Sequence, residues 1–371
     1  MKICYIAKSS FPSFNASSLQ IVRMCENFSL LKNQVFLIAP DSGLINIDFK
    51  SFYNIKNNFN FIKLSWFNKF PLNFNSYLYS IFAVIYSLKL KPNLYITRNI
   101  VISFILFLFK KKQIIEIHHD AKDEGRISHF ILKFFNFLNN SSIIKVVVIS
   151  KNLKYFYKEI YGVKENKIQI ISSATNVKPN KFSFINLADK NKLNIGYFGS
   201  FLKSKGIQLI LNLSNIDKNN KYFIIGGDKN LVSRKKNQFS SRRNLILISH
   251  LPHHKAINIL SKMDILLLPF EKNIRVAGNV GDISNFTSPL KLFDYFSCGK
   301  VIISSEINVL KDVLKNKLNC IFVKNFTNSR SWLGEINKIK NNNFQANLIS
   351  KNSLITARQN SYFLRAKRFL E

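Results

Sequence analysis

Cysteine is sparse in this chain of 371 residues: Cys4, Cys25, Cys298 and Cys320 lie far apart and form no CxxC pair. That spacing excludes a disulfide framework and a structural zinc site, and it fits a reducing compartment. Long apolar runs are missing as well. The most apolar stretch, residues 100–109, is stopped by Lys110-Lys111-Lys112, well short of the ~20 residues that a bilayer helix needs. The opening residues 1–7 have too short an apolar core for a leader peptide, and Lys8 interrupts them, so they read as a first buried strand. A cytoplasmic protein is expected. Acidic residues are the third shortage, 20 against 55 Lys and Arg, for a formal net charge of +35.

The charge admits three readings. Basic surface binds nucleic acid by releasing counterions, but no DNA- or RNA-binding motif accompanies it. Basic surface also draws a protein to an anionic leaflet. The third reading is compositional, because Lys, Asn, Ile and Phe are all abundant and the basic residues are spread along the chain. Composition carries most weight, peripheral contact with an anionic membrane comes next, and no nucleic-acid partner is expected.

The chain is long enough for two domains, and 47% hydrophobic residues make it globular. Short apolar runs alternate with amphipathic stretches, the pattern of parallel α/β domains. Strands are expected at residues 2–7, 35–39, 94–97, 114–117, 145–149 and 168–171. In the second half they are expected at 193–198, 221–225, 244–248, 264–268, 300–304 and 320–323. A polar loop should run through Ser18 into a helix carrying Ile21, Cys25, Phe28 and Leu31 on one face. Further helices are expected at 99–109, 128–138, 206–213, 253–262, 289–297, 309–314, 331–340 and 357–370. Around 176–192 the pattern lapses into Asn, Lys, Pro and Asp, which reads as a linker. The expected division is therefore 1–176, a linker at 177–192, and 193–356, with the terminal helix 357–371 joining the first domain.

Three stretches could carry chemistry, and open parallel sheets bind ligands beyond the carboxyl ends of their strands. The most informative is residues 287–300, Thr-Ser-Pro-Leu-Lys-Leu-Phe-Asp-Tyr-Phe-Ser-Cys-Gly-Lys. Ser288 suits an N-cap, Pro289 the first helical position and Gly299 the left-handed exit. A helix opening this way aims its free N–H groups and positive dipole end at an anion such as a diphosphate. Asp294, one turn in, could accept from ribose hydroxyls. Judged locally, the same residues also make an ordinary capped helix.

The second stretch is Gly196 to Ser200 followed by Lys205-Gly206, where glycines admit close backbone approach and Lys205 adds charge. Such turns occur in most α/β proteins. The third is Glu116-Ile117-His118-His119-Asp120 at a strand end. A histidine there can donate to a sugar hydroxyl or stabilise developing charge; a merely hydrogen-bonded histidine carries comparable weight. Adjacent histidines point to opposite faces and no third ligand stands at familiar spacing, so no metal is expected. His253 and His254 open a helix and read as exposed.

Together these pieces resemble the retaining GT-B glycosyltransferases of family 4. Residues 1–7 and then 11–18 look like that family's first strand and acceptor-side loop, with Asn15 and Ser18 in the loop. Val148-Ile149-Ser150, Leu153 and Tyr161-Gly162-Val163 resemble its "S…L…yGv" segment, and residues 195–200 with Lys205-Gly206 resemble the opening of its donor domain. Residues 250–253 and 263–269 are similar to "G-x-(V/L)-P…aDv-x-llP", and residues 288–299 to "SPLKLFEYMASGKP". Tyr362, Phe363, Arg365 and Ala366 look like the terminal helix that crosses back. The resemblance runs in order over nearly the whole chain.

It implies two Rossmann-like domains facing across a deep cleft and a UDP- or GDP-sugar as donor substrate, with no separate cofactor. The acceptor would be a glycan or lipid-linked glycan in polysaccharide synthesis, and the basic surface suggests the inner face of the membrane as the setting. The resemblance implies that Gly199, Lys205, Ser288, Pro289, Leu290 and Lys291 hold the donor phosphates and that Asp294 holds the ribose. His118, with His119 as substitute, would stand near the transferred sugar. Three positions depart from the family: Phe286 replaces a common Glu, Asp294 replaces Glu, and Ser200 replaces an Arg. Phosphate neutralisation then falls to Lys205, aided by Arg275 or Lys291. Two alternatives remain: a catalytically silent glycan- or nucleotide-binding protein, and a UDP-sugar epimerase, which needs more cleft carboxylates than this chain offers.

Overall fold

The computed structural model describes residues 1–43, 48–56, 59–64, 72–176, 183–201, 203–274 and 282–371. Arg275 and residues 177–182 of the expected linker lie outside them. The chain forms two compact units, Met1–Ser172 with Tyr362–Glu371, and Ser173–Ser361.

In the first unit the elements run β1 (Lys2–Ile6), α1 (Ala16–Leu30), β2 (Gln34–Pro40), α2 (Phe49–Tyr53), β3 (Asn60–Leu64), α3 (Leu72–Lys89), β4 (Leu94–Thr97), α4 (Ile100–Leu108), β5 (Gln113–Ile117), α5 (Ala121–Glu124), α6 (Arg126–Phe134), β6 (Ile143–Val148), α7 (Lys151–Tyr161) and β7 (Ile168–Ile170). The strands make a parallel seven-stranded sheet in the order β3-β2-β1-β4-β5-β6-β7. Strand order reverses between β1 and β4, so a crevice opens at their carboxyl ends.

The second unit holds β8 (Asn194–Phe198), α8 (Ile207–Ile216), β9 (Lys221–Ile225), α9 (Lys229–Gln238), β10 (Leu245–Ile248), α10 (His253–Leu260), β11 (Ile265–Leu268), α11 (Leu290–Cys298), β12 (Val301–Ser305), β13 (Ile321–Val323), α12 (Ser329–Lys340) and α13 (Asn343–Gln359). Its six parallel strands run β10-β9-β8-β11-β12-β13, with the reversal between β8 and β11. Both faces of this sheet are buried. Ile195, Tyr197, Ile265 and Leu267 pack with Trp332 on one side, while Leu266 and Leu268 pack with Phe293 and Phe296 on the other. That alternation explains the near-continuous apolar runs. Each aliphatic side chain so buried contributes about 1.5–3 kcal/mol.

The structure moves several expected boundaries. The polar loop ends at Asn15, because α1 already begins at Ala16, and Ser18 lies fully buried in its first turn. Residues 309–314 make a 3-10 turn at Asn308–Asp312 rather than an α-helix. The terminal helix expected at 357–370 is α14 (Tyr362–Leu370), and its expected first residues instead close a separate helix, α13. α13 stops at Gln359, Asn360 interrupts, and α14 returns to pack on α1. Beyond the short α2 and α5, the additions are strand β3 and helices α3, α7, α9 and α13. Only Val232 of α9 is buried, so its sequence lacks an apolar stripe.

Candidate functional site

Two loops meet at the strand reversal of the second sheet. After β8 the chain turns through Gly199 into a 3-10 turn, Lys203–Lys205, and after β11 it passes through Pro269 and Phe270. Gly206, at φ +73°, lies so close to the second loop that a β-carbon would stand 1.8 Å from the Pro269 carbonyl oxygen. Only glycine permits that approach. A β-carbon on Gly199 would likewise meet the Tyr197 hydroxyl at 2.9 Å and the Lys291 Nζ at 3.0 Å. The two glycines therefore let both loops and two lysines converge on one spot.

Those lysines are Lys205 and Lys291. The Lys205 Nζ lies 5.1 Å from the centre of the Phe270 ring. The Lys291 Nζ stands 4.8 Å from the same ring and 4.3 Å from that of Tyr197, and it donates to the Tyr197 hydroxyl at 3.1 Å. Tyr197 in turn donates to the Ser200 carbonyl. Tyr197 of β8 and Phe270 of the loop after β11 thus form a shelf under two cations. Lys205 is only 9% exposed, and burial pushes its pKa down to about 8. Burial, and then the neighbouring Lys205 charge, hold Lys291 well below the usual lysine range. Among the described residues neither ammonium has a carboxylate within ion-pair distance. Two such cations at a strand reversal and a helix start can together attract an anion.

The helix start differs in detail from expectation. α11 opens at Leu290, Pro289 takes the N-cap position, and no side chain caps it. Ser288 is not the cap: its hydroxyl accepts from the Ser173 N–H at 3.0 Å, and its carbonyl accepts from the Ser173 hydroxyl at 2.6 Å. The first amides of the helix, at Leu290 and Lys291, have no intrahelical acceptor, so they remain available for an anion. The Gly199 N–H is already committed to the Ile225 carbonyl at 2.9 Å, so Gly199 serves by its lack of a side chain.

Asp294 is 5% exposed. One carboxylate oxygen accepts from the Thr175 hydroxyl at 3.1 Å, and the other meets the His253 Nε2 at 2.9 Å. His253 is therefore not a bystander on an exposed helix end, as its sequence position indicated. The hydrogen bond to Asp294 holds it beside Phe198.

In the first unit Glu116 is the hub of an ion cluster. Arg98, just after β4, grips it with two bonds of 3.0 and 2.9 Å, and Arg365 of α14 adds a third at 2.7 Å. His118 completes the set with Nε2 at 2.7 Å. Burial alone would raise the Glu116 carboxyl, but Arg365, Arg98 and His118 together hold it well below the usual carboxylate range. An ionised Glu116 can only accept, so His118 carries its proton on Nε2 and offers Nδ1 as an acceptor. Burial, and then Arg98, push the His118 pKa down to about 4. The ring is neutral near pH 7 and its one proton is committed to Glu116, so towards a sugar hydroxyl it can accept through Nδ1 but not donate, contrary to the expectation. His119 turns its Nδ1 to the Asp120 carbonyl at 3.0 Å. Asn15 sits at the exposed mouth of α1, whereas Ser18 is buried within it and out of reach of an acceptor.

Arg98 and Phe270 escaped the sequence reading, while Tyr197 was read only as part of the 196–200 turn and His253 only as an exposed helix start. The signal for Arg98 was Glu116 itself, a lone acid in the otherwise apolar strand Ile114-Ile115-Glu116-Ile117, which demands a buried cation.

Residues 179–355, which contain the lysine pair and Asp294, match the family model for glycosyl transferases group 1. An uncharacterised glycosyltransferase of Methanocaldococcus jannaschii is 26% identical over 273 residues, or 67% of this chain, and the match spans 64% of that relative's length. Among solved structures, Anabaena HepE in complex with UDP and glucose superposes with a TM-score of 0.71 at 12% identity, over 100% of this chain and 98% of its own. Sucrose-phosphate synthase of Thermosynechococcus elongatus gives 0.74 at 12% identity, over 99% and 97%. S. aureus TarM in complex with UDP gives 0.71 at 11% identity, over 100% and 99%. The two Rossmann-like units are thus those of the GT-B fold of glycosyltransferases.

Proposed function

We propose that this chain is a retaining glycosyltransferase that needs no metal ion. It moves a hexose-type sugar from a UDP- or GDP-sugar to a glycan or lipid-linked glycan in cell-surface polysaccharide synthesis. The observation that carries this reading is the Lys205–Lys291 pair beside the start of α11, within the segment that matches the group 1 family. A nucleoside diphosphate supplies the negative charge the pair lacks. As the bond from the anomeric carbon to the diphosphate breaks, charge develops on the leaving oxygen where Lys205, Lys291 and the helix amides stand. The acceptor hydroxyl oxygen then bonds to the anomeric carbon from the same face, and its proton passes to the departing phosphate. UDP is favoured over GDP because proteins of this fold have been solved with UDP.

Asp294 is assigned to the ribose, since a carboxylate keeps lone pairs beyond the two that Thr175 and His253 occupy. The resemblance assigns His118 to a hydroxyl of the transferred sugar, accepting at Nδ1. Asn15 is assigned to the acceptor. The net charge of +35 supports a cytoplasmic protein at the anionic inner face of a membrane.

The test is a thermal-shift and donor-hydrolysis screen of nucleotide-sugars. Stabilisation by UDP, with slow donor hydrolysis, is expected. If no UDP- or GDP-linked compound shifts the melting curve, the reading falls. Binding without turnover across an acceptor panel would favour the silent binding protein, whose support is Phe286 and Ser200 at the departing positions.

The lysines also fix a pH dependence. An anion raises their pKa values, so binding above about pH 8 takes up protons at Lys205. UDP affinity should fall by up to about tenfold per pH unit as pH rises above about 8, where Lys205 loses its proton. Calorimetry in buffers of different ionisation enthalpy checks this: pH-independent affinity with no proton uptake would show that neither lysine meets the phosphates.

A further inference from the structure

The helix layer formed by α3, α4 and α6 in the first unit carries apolar side chains on its outer side as well as its inner one. α3 packs on α4 and α4 on α6. On α3, Phe74, Phe82 and Ile85 are exposed, at spacings that place them along one outward stripe. Leu108 ends α4 at 60% exposure, and Phe130 and Phe134 of α6 lie 4.5 Å apart, with Phe134 at 64%. Phe104 of α4 packs its ring 4.9 Å from that of Phe135, at the end of α6, and 5.4 Å from that of Phe137 beyond it. Contiguous exposed apolar surface of this kind marks an interaction site.

Charge decides the occupant. α3, α4 and α6 contain no Asp or Glu. Crossover helices of a parallel sheet all end at the amino-terminal edge of the strands, so their last residues gather at one end of the layer. There stand Lys89, Lys91, Lys110, Lys112 and Lys133, all exposed. A second copy of a chain with net charge +35 would meet like charge at this rim. An anionic lipid surface meets its complement, with aromatic and aliphatic side chains entering the acyl boundary and lysines on the headgroups. No helix among the described residues is long and apolar enough to cross a membrane, so the contact is peripheral.

We infer that the outer face of α3, α4 and α6 docks this protein on anionic lipid bilayers. The inference deepens the membrane clause of the proposed function and rests on it only there, because the face is remote in sequence from the lysine pair and independent of the donor.

The test is flotation of the full chain with vesicles of phosphatidylcholine alone and of phosphatidylcholine mixed with phosphatidylglycerol. Binding to the mixed vesicles only, weakened by added salt, is expected. Phe82→Ser with Phe134→Ser should weaken it by about tenfold per ring, and Lys110→Glu with Lys112→Glu by at least fivefold per residue. UDP-induced melting shifts should stay unchanged in all variants, which shows that they are folded. Binding that the apolar variants do not alter would overturn the surface while leaving the membrane clause intact. Absence of vesicle binding by the unaltered chain would overturn both. Vesicle-free dimers that Phe82→Ser dissolves, without lipid binding, would assign the face to self-association instead.

Discussion

Lys205→Met is expected to abolish most donor turnover while making the ligand-free protein more stable. The two effects come from one cause. A lysine whose folded-state pKa is depressed to about 8 from 10.5 is held in its charged form at a cost. The unfolded chain binds that proton more tightly, so stability rises with pH across the window from about 8 to 10.5. At neutral pH the buried ammonium destabilises the fold by a few kcal/mol, on the order of 1.4 per pKa unit. Methionine keeps the stem against Phe270 and removes the charge. Relief of that cost also lets Lys291 recover part of its own proton affinity, since Lys205 is one of the two causes that lower it. A rise in melting temperature without ligand is expected, together with loss of the UDP-induced shift and a fall of about 10²–10³ in kcat/KM. Lys291→Met should behave alike, with the added loss of its bond to Tyr197. A variant that melts lower and still binds UDP would make the lysines structural rather than phosphate ligands.

Glu116→Gln is the variant with the largest expected effect on stability, about 3–5 kcal/mol. The side chain is fully buried and takes bonds from Arg98, Arg365 and His118. Without its charge two guanidinium groups face each other in a low-dielectric interior. Urea unfolding should report the loss, and α14 should loosen first, because Arg365 is its inward anchor, bonded otherwise to the Ser172 carbonyl. Arg365→Met should cost less, because Arg98 still neutralises Glu116 through two bonds. Equal losses in the two variants would show that the charge balance is not what matters.

The same cluster shapes acid stability. Glu116 has a depressed folded-state pKa, so its stabilisation is complete above the ordinary value of 4.5 and is lost as pH falls through the folded value. His118 acts over a higher window. Its folded pKa of about 4 lies below the ordinary 6.5, so the unfolded chain takes up a proton first, and stability falls between about 6.5 and 4. His118→Asn should flatten the pH dependence of stability in that window and leave the steeper loss below it.

Much of this molecule was legible in the chain itself. Every strand but the edge strand β3 announced itself as an apolar run, because both faces of a parallel sheet are covered. Lys205 and Lys291 stood in recognisable strand-end and helix-start contexts, and the order of motifs from residue 1 to residue 366 pointed to the GT-B fold. α3 did not show, for a physical reason that became informative: its outward face is as apolar as its inward one, so no helical stripe separates from the background. The start expected for the terminal helix at 357 was too early, because composition barely changes across Asn360, which separates α13 from α14.

What composition and pattern determined, then, was which segments become strands, which glycines open loops and which lysines stand at strand ends. Local backbone preference and hydrophobic period are properties of neighbouring residues. The pairing of side chains distant in sequence was left to the tertiary structure. It decided that Phe270 and Tyr197 would shelve two lysines 86 positions apart, that His253 would hold Asp294, and that Arg365 would reach back to Glu116. Desolvation and Coulomb energy depend on distance in space and on burial. Neither can be read from residue order, and these two terms set the charge states on which both the phosphate site and the Glu116 cluster depend.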